Sequence, residues 1–183
     1  MTEATVAEPA AEQGSRLPLI LGLTVLAALL LGGGWWATHP TLLNPGGSAV
    51  GMQVTVRQPV LVGLFAYPQD GSVVLRDATP RLASGSAAAR VRVLWCVGPR
   101  GGSPVGAARA TARETCAETP GLDGQRLTMP SAANRFAHLV LEVVPSEAGE
   151  VRVEGVDVAY SAGLRRGSQA YGVVVEVVAA AEG

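Results

Sequence analysis

The chain has 183 residues, with 14 basic against 15 acidic side chains, a near-neutral balance that gives nucleic acid no bulk electrostatic attraction. Every basic residue is Arg, which excludes a lysine nucleophile, a Schiff base and the GxxxxGK[ST] phosphate loop. The length suits one domain plus an extension, and the wealth of Ala, Gly, Val, Pro and Arg is that of a GC-rich coding sequence.

Residues 1–16 read as a short cytoplasmic tail, acidic at Glu3, Glu8 and Glu12, with Arg16 as its one basic residue. Leu17–Ala37 (LPLILGLTVLAALLLGGGWWA) then carries no charge. At about 1.5 Å per residue it matches a hydrocarbon core of roughly 30 Å, so we expect a transmembrane helix. Pro18 falls in the first turn, where a missing N–H costs nothing, and Trp35 and Trp36 fall where indoles prefer the headgroup boundary. The alternative is a signal peptide cleaved after Gly34, but the acidic tail makes a poor n-region. With Arg16 before the helix and no basic residue after it until Arg57, the positive-inside rule places the tail in the cytoplasm and the rest outside the cell membrane. The lipid bilayer is then a partner. Thr24, Ala28 and Gly32 share one helix face at four-residue spacing, a surface on which a homodimer or a partner helix can pack.

Residues 38–51 (His39–Gly51 reads HPTLLNPGGSAVG) lack apolar periodicity and read as a linker. From 52 to 183, short β-branched runs are broken by Gly, Pro and Asp. Expected strands are Met52–Arg57, Val60–Tyr67, Ser72–Asp77, Ala89–Val97, Gln125–Met129, Phe136–Val144, Glu150–Tyr160 and Tyr171–Val178. The fold class is all-β, an antiparallel two-sheet sandwich, Ig-like in architecture, with a small barrel as the alternative. Within Ala89–Val97, Val91, Val93, Trp95 and Val97 point one way, into the core, and Arg90, Arg92 and Cys96 the other. In Glu150–Tyr160 the apolar phase slips at Gly155, which predicts a β-bulge.

Cys96 and Cys116, the two cysteines, are expected to form a disulfide in an exported domain. Because Cys96 points outward by alternation, the bridge should pin the intervening Gly-, Pro- and Arg-rich segment across the outside of a sheet. Ala107–Thr115 (AARATARET) has a helix-forming composition and is expected to add one or two helical turns.

For chemistry, His138 shares a strand face with Phe136, Val140 and Glu142, but Glu142 lies about 13 Å along the strand, beyond a general-base pairing. His39 sits at the membrane boundary. Met52 and Met129 with His138 are weak candidates for a copper site, since thioether and imidazole suit that metal. No GxSxG, HExxH, GxGxxG or EF-hand pattern occurs, so no catalytic residue and no cofactor is expected. Glu147, Glu150, Glu154 and Asp157 read as a solvated turn and strand face. Arg165 and Arg166 fall in a Gly-bounded loop, Ser161–Ala170, placed to touch an anion or a partner.

The run Tyr160, Gly163, Gly167, Gln169 and Gly172 resembles the C-terminal hairpin of small single-pass exported β-sandwich proteins of GC-rich bacteria. That likeness spans some 25 residues; it implies the same anchored-sandwich layout and carries over no activity. The functional expectation is a membrane-anchored, extracytoplasmic interaction or accessory module, non-enzymatic. The alternative is a copper-handling or envelope-complex assembly protein.

Overall fold

The computed structural model describes residues 17–38, 41–129 and 136–181. The tail 1–16, Arg16 and His39 lie outside the described residues, so the orientation inferred from Arg16 has no structural counterpart. The chain divides into two compact units, Met1–Trp36 and Ala37–Gly183.

The first unit holds helix α1, Leu17–Thr38, of 22 residues with no acidic side chain in its first turn and no basic one in its last. Its side chains are described from Leu21 to Trp36, and all of these are exposed. Among the described residues no helix is long and apolar enough to cross a membrane.

The second unit is built from two sheets. One runs in the order β1 (Gly46–Thr55), β9 (Arg165–Ala180), β8 (Gly149–Ala162), β3 (Ser72–Leu82), β6 (Arg126–Thr128). The other runs β4 (Ala89–Val97), β7 (Ala137–Pro145), β2 (Val60–Leu64), β5 (Ala107–Ala108). Alternation does the sorting: Val60, Val62 and Leu64 of β2 and Leu139, Leu141 and Val143 of β7 turn inward. They meet Val151, Val153, Val156 and Val158 of β8 and Val173, Val175 and Val177 of β9 in one buried cluster. Trp95 belongs to that core, with Val91, Val93 and Val97 packed against it, as the alternation in β4 predicts. The two-sheet β-sandwich therefore stands.

Three expectations are corrected. First, the sandwich is not wholly antiparallel: β1 pairs in parallel with β9 from Gly46↔Gly172 to Thr55↔Ala180. Hairpin reasoning pairs neighbours in sequence, and this pair joins the two ends of the domain. Second, the linker 38–51 is largely structure. Leu43 is fully buried, and β1 begins at Gly46. The phenol of Tyr160 accepts from the Leu42 N–H at 3.1 Å. The Gln169 amide accepts from the Leu43 N–H at 3.0 Å and donates to the Leu43 carbonyl at 2.7 Å. A glutamine side chain thus takes the place of a neighbouring strand, which no local periodicity encodes. Within Ala107–Thr115 the expected helical turn is present as α2, Ala112–Thr115, while Ala107 and Ala108 pair with Val62 and Leu61. Third, Arg165 and Arg166 do not lie in a loop. The β8–β9 connection is the two-residue tip Gly163–Leu164, and Arg165 and Arg166 pair with Ala162 and Ser161. Gly163 takes φ +59° while Leu164 does not have positive φ, the pattern of a II′ hairpin turn. Gly and Arg at a hairpin base look like a loop because they interrupt the apolar alternation.

The bulge at Gly155 is present: the β8–β9 register shifts between Val153 and Val156, and Gly155 has φ +147°.

A strapped outer face and an arginine groove

β2 and β7 are buried on both faces. Their outer faces are covered by the segment between Cys96 and Cys116, which are joined in a disulfide, as the sequence predicts. Leu61, Cys96, Ala112, Cys116 and Val140 form a second small apolar cluster under this strap. The strap crosses β2 at Gly63, whose N–H donates to the Gly106 carbonyl at 2.7 Å. A Cβ on Gly63 would collide with the backbone carbonyl of Val105, so only glycine admits the strap at this height.

His138 is sealed beneath the strap at 1% exposure. Its Nε2 accepts from the Val105 N–H at 3.3 Å, its ring stacks on Phe65 with centroids 6.1 Å apart, and its Nδ1 has no hydrogen-bond partner. Burial pushes the imidazole below its ordinary value. The sequence places His138, Val140 and Glu142 on one face correctly; it does not show that this outer face has a lid.

The copper candidates are not brought together. Met52 packs against the inter-sheet core from β1, whereas Met129 follows β6 at the opposite edge of that sheet and is exposed. Four strand spacings of about 4.8 Å separate those edges. His138 faces outward from the other sheet, so no fold-preserving shift unites the three. Among the described residues no three His, Cys, Asp or Glu converge on one point.

What the strap does assemble is a groove along β4. Arg90, Arg92 and Leu94 lie on the outer face of that strand, and Thr111, Ala112 and Arg113 of the strap form the opposing wall. The groove is open and holds about 500 Å³. Its geometry rests on Glu142 of β7, directly opposite Arg92 and 3% exposed. One Glu142 oxygen accepts from the Arg92 guanidinium, the other from the Ala112 N–H at 3.0 Å. Burial alone would raise this carboxyl, but the Arg92 hydrogen bond, the Ala112 N–H and the charges of Arg92 and Arg90 together hold it below the usual range. The turn carrying Ala112 is set by a capping box: Thr111 accepts from the Glu114 N–H, and Glu114 accepts from the Thr111 N–H at 2.7 Å. T-x-x-E was visible in AARATARET as a helix start, and R-x-R in β4 as an outward pair. Their convergence needs the disulfide-closed strap.

Arg90 and Arg113 are exposed and have no carboxylate within ion-pair distance among the described residues. With Glu142 paired to Arg92, the groove's unpaired charge is cationic, and the Thr111 and Thr119 hydroxyls lie nearby.

Arg166, by contrast, lies beside a second depression with Arg76, Asp123 and Tyr160, where Arg76 pairs with Asp123 at 3.4 Å. Glu154 and Asp157 form exposed ion pairs with Arg152 and Arg81. Thr24, Ala28 and Gly32 lie along α1, all exposed, with no heavy atom within 4 Å of a Cβ built on Gly32. No protein-family model matches the chain, and no curated protein is significantly similar to it.

Proposed function

We propose that the chain is a single-pass membrane protein whose β-sandwich stands on the extracytoplasmic side and acts as a non-enzymatic interaction module. The observation that carries this reading is the strapped outer face: a disulfide-closed segment builds an open, cationic groove rather than an enclosed pocket of reactive groups. Open grooves on rigid sheets suit recognition of another chain better than the sequestering of a reaction. Glu142 is held ionised by two donors, and His138 is sealed under Val105, so neither is offered to a substrate.

The anchor rests on α1. Its 22 residues, at about 1.5 Å each, match a bilayer core, and its sequence carries no charged residue, with Thr24 and Thr38 the polar ones. A helix apolar all round requires an apolar surrounding, here lipid. The length of a span is reached only by including residues 17–20 and 37–38, whose side chains lie outside the described part. The face of Thr24, Ala28 and Gly32 is then the surface for a second helix in the bilayer. The disulfide favours the oxidising side of that membrane.

Fractionation tests the reading. The full chain should remain in the membrane pellet after alkaline carbonate washing, and zero-length cross-linking in intact membranes should join it to one reproducible partner in near-stoichiometric yield. Release into the wash, or a cross-linked lane identical to the free chain, would overturn it.

A further inference from the structure

β4 is both a free sheet edge and one wall of the arginine groove, through Arg90, Arg92 and Leu94. β4 ends its sheet and pairs with β7 alone. At its last residue that edge is already in use: the Val97 N–H donates to the Glu118 carbonyl at 3.0 Å, and the Val97 carbonyl accepts from the Ala117 N–H at 2.8 Å. An antiparallel ladder repeats every two residues, so the backbone groups of Val91, Val93 and Trp95 point the same way as those of Val97. Among the described residues, none of those three has a backbone partner on that side. The other long edge, β1, is guarded, because Arg109 donates to the Gln53 carbonyl at 3.1 Å.

Arg90 and Arg92 stand two residues apart along this open edge, about 6.8 Å. Any strand added beside β4 repeats its outer-face side chains at that same spacing, within cross-strand reach of both guanidiniums. Arg113 adds a third positive charge from the opposite wall, and the one buried carboxylate, Glu142, is spent on Arg92 and Ala112.

We propose that β4 accepts an extended acidic segment of a partner protein as an added strand, its alternate carboxylates seated against Arg90, Arg92 and Arg113. This rests on the reading of the domain as an interaction module and names the chemistry of its partner. Main-chain hydrogen bonds to Val91, Val93 and Trp95 supply the docking, and the arginines select the sequence. The Val97–Glu118 bridge fixes where the added strand must stop. Charge steers the encounter, so affinity falls as salt rises.

The test uses the full chain in zwitterionic-lipid nanodiscs and a fluorescein-labelled octapeptide of alternating Thr and Glu, read by anisotropy. Saturable binding is expected, with affinity lower by about tenfold or more for the Thr/Gln analogue and for the double variant Arg90→Ala/Arg113→Ala. Among the described residues neither arginine has a carboxylate within ion-pair distance, and Glu142 keeps its hydrogen bonds to Arg92 and Ala112, so that variant should stay folded with its disulfide closed, which a thermal midpoint and intact mass measured alongside would check. An alternately N-methylated Thr/Glu peptide keeps its charges but cannot form the ladder, and it should not bind. Equal binding by the Gln analogue, the N-methylated peptide or the double variant would overturn the proposal. So would displacement of the Thr/Glu peptide by inorganic phosphate at matched charge concentration, which would reveal a bare anion site. Cross-linking in membranes separates this failure from that of the module: a partner still captured by the double variant contradicts the groove and leaves the module standing, whereas no partner on the unaltered chain contradicts the module.

Discussion

Gln169 does more than its position in a glycine-rich hairpin suggests. Its amide bonds both ways to the Leu43 backbone and meets the Tyr160 phenol at 3.2 Å, tying the entry of the domain to its last hairpin. Replacing it with Leu leaves the Leu43 N–H and C=O without partners; we expect a loss of about 1–3 kcal/mol, read as a lower denaturation midpoint with an unchanged slope. An unchanged midpoint would mean that residues 42–45 contribute nothing to the fold. His138 gives a pH signature. Burial lowers its pKa from the ordinary 6.5, so the unfolded chain takes up the proton first. The stability that goes with a neutral imidazole is whole above about pH 6.5 and declines as pH falls through 6.5 towards the lower folded value. Glu142 acts in a separate, more acidic window, since its folded pKa lies below the ordinary 4.5: its contribution is present above 4.5 and is lost as pH falls through the folded value. Unfolding midpoints measured from pH 8 to 4 should fall below pH 6.5 in the native chain and flatten there in His138→Phe. Identical profiles would remove His138 from the account. At this scale the sequence was half legible: strand alternation assigned the faces of Trp95, Cys96 and His138 correctly, but solvent exposure of a face depends on what crosses it.

The strap is the element on which the site depends. It buries the outer face of β2 and β7, seals His138, and carries Ala112 to Glu142 and Arg113 to the groove. A closed loop with a sequence separation of 20 between the cysteines stabilises by about 3 kcal/mol on the chain-entropy model, so Cys96→Ala/Cys116→Ala should lower stability by about that amount. Gly63→Ala tests the same element without touching the disulfide. The added methyl meets the Val105 carbonyl, so the strap must lift; hydrogen exchange should rise first at Gly63 and Val105 while the inner ladder of β8 and β9 stays protected. Uniform exchange through the whole domain would mean that strap and sandwich open together. Boundaries of such elements were the least readable feature of the sequence. AARATARET has helical composition, yet its first two alanines are claimed by the edge of β2, and Arg165 and Arg166 are claimed by a hairpin whose two-residue tip leaves them no loop to occupy. In each case, tertiary pairing overrode local composition.

For the whole molecule, apolar alternation was enough to announce a two-sheet sandwich, because each sheet must bury one face against the other. It could not announce the parallel β1–β9 pair, whose partners are separated by nearly the entire domain and whose first strand begins in the glycines of GGSAVG, ahead of the alternation that marks Met52–Arg57. In the other sheet β4 is an edge strand, and the strap builds its groove beside it. The proposed function combines an apolar helix held in lipid with a sandwich and disulfide-closed strap exposed to an oxidising compartment. Its central claim is that this sandwich resides in an oxidising compartment while α1 stays in lipid. The most direct measurement is intact mass of the full chain recovered from washed membranes after alkylation under denaturing, non-reducing conditions. The account predicts that neither Cys96 nor Cys116 gains a label until a reductant is added; two labelled cysteines, or recovery of the chain only in the soluble fraction, would contradict it.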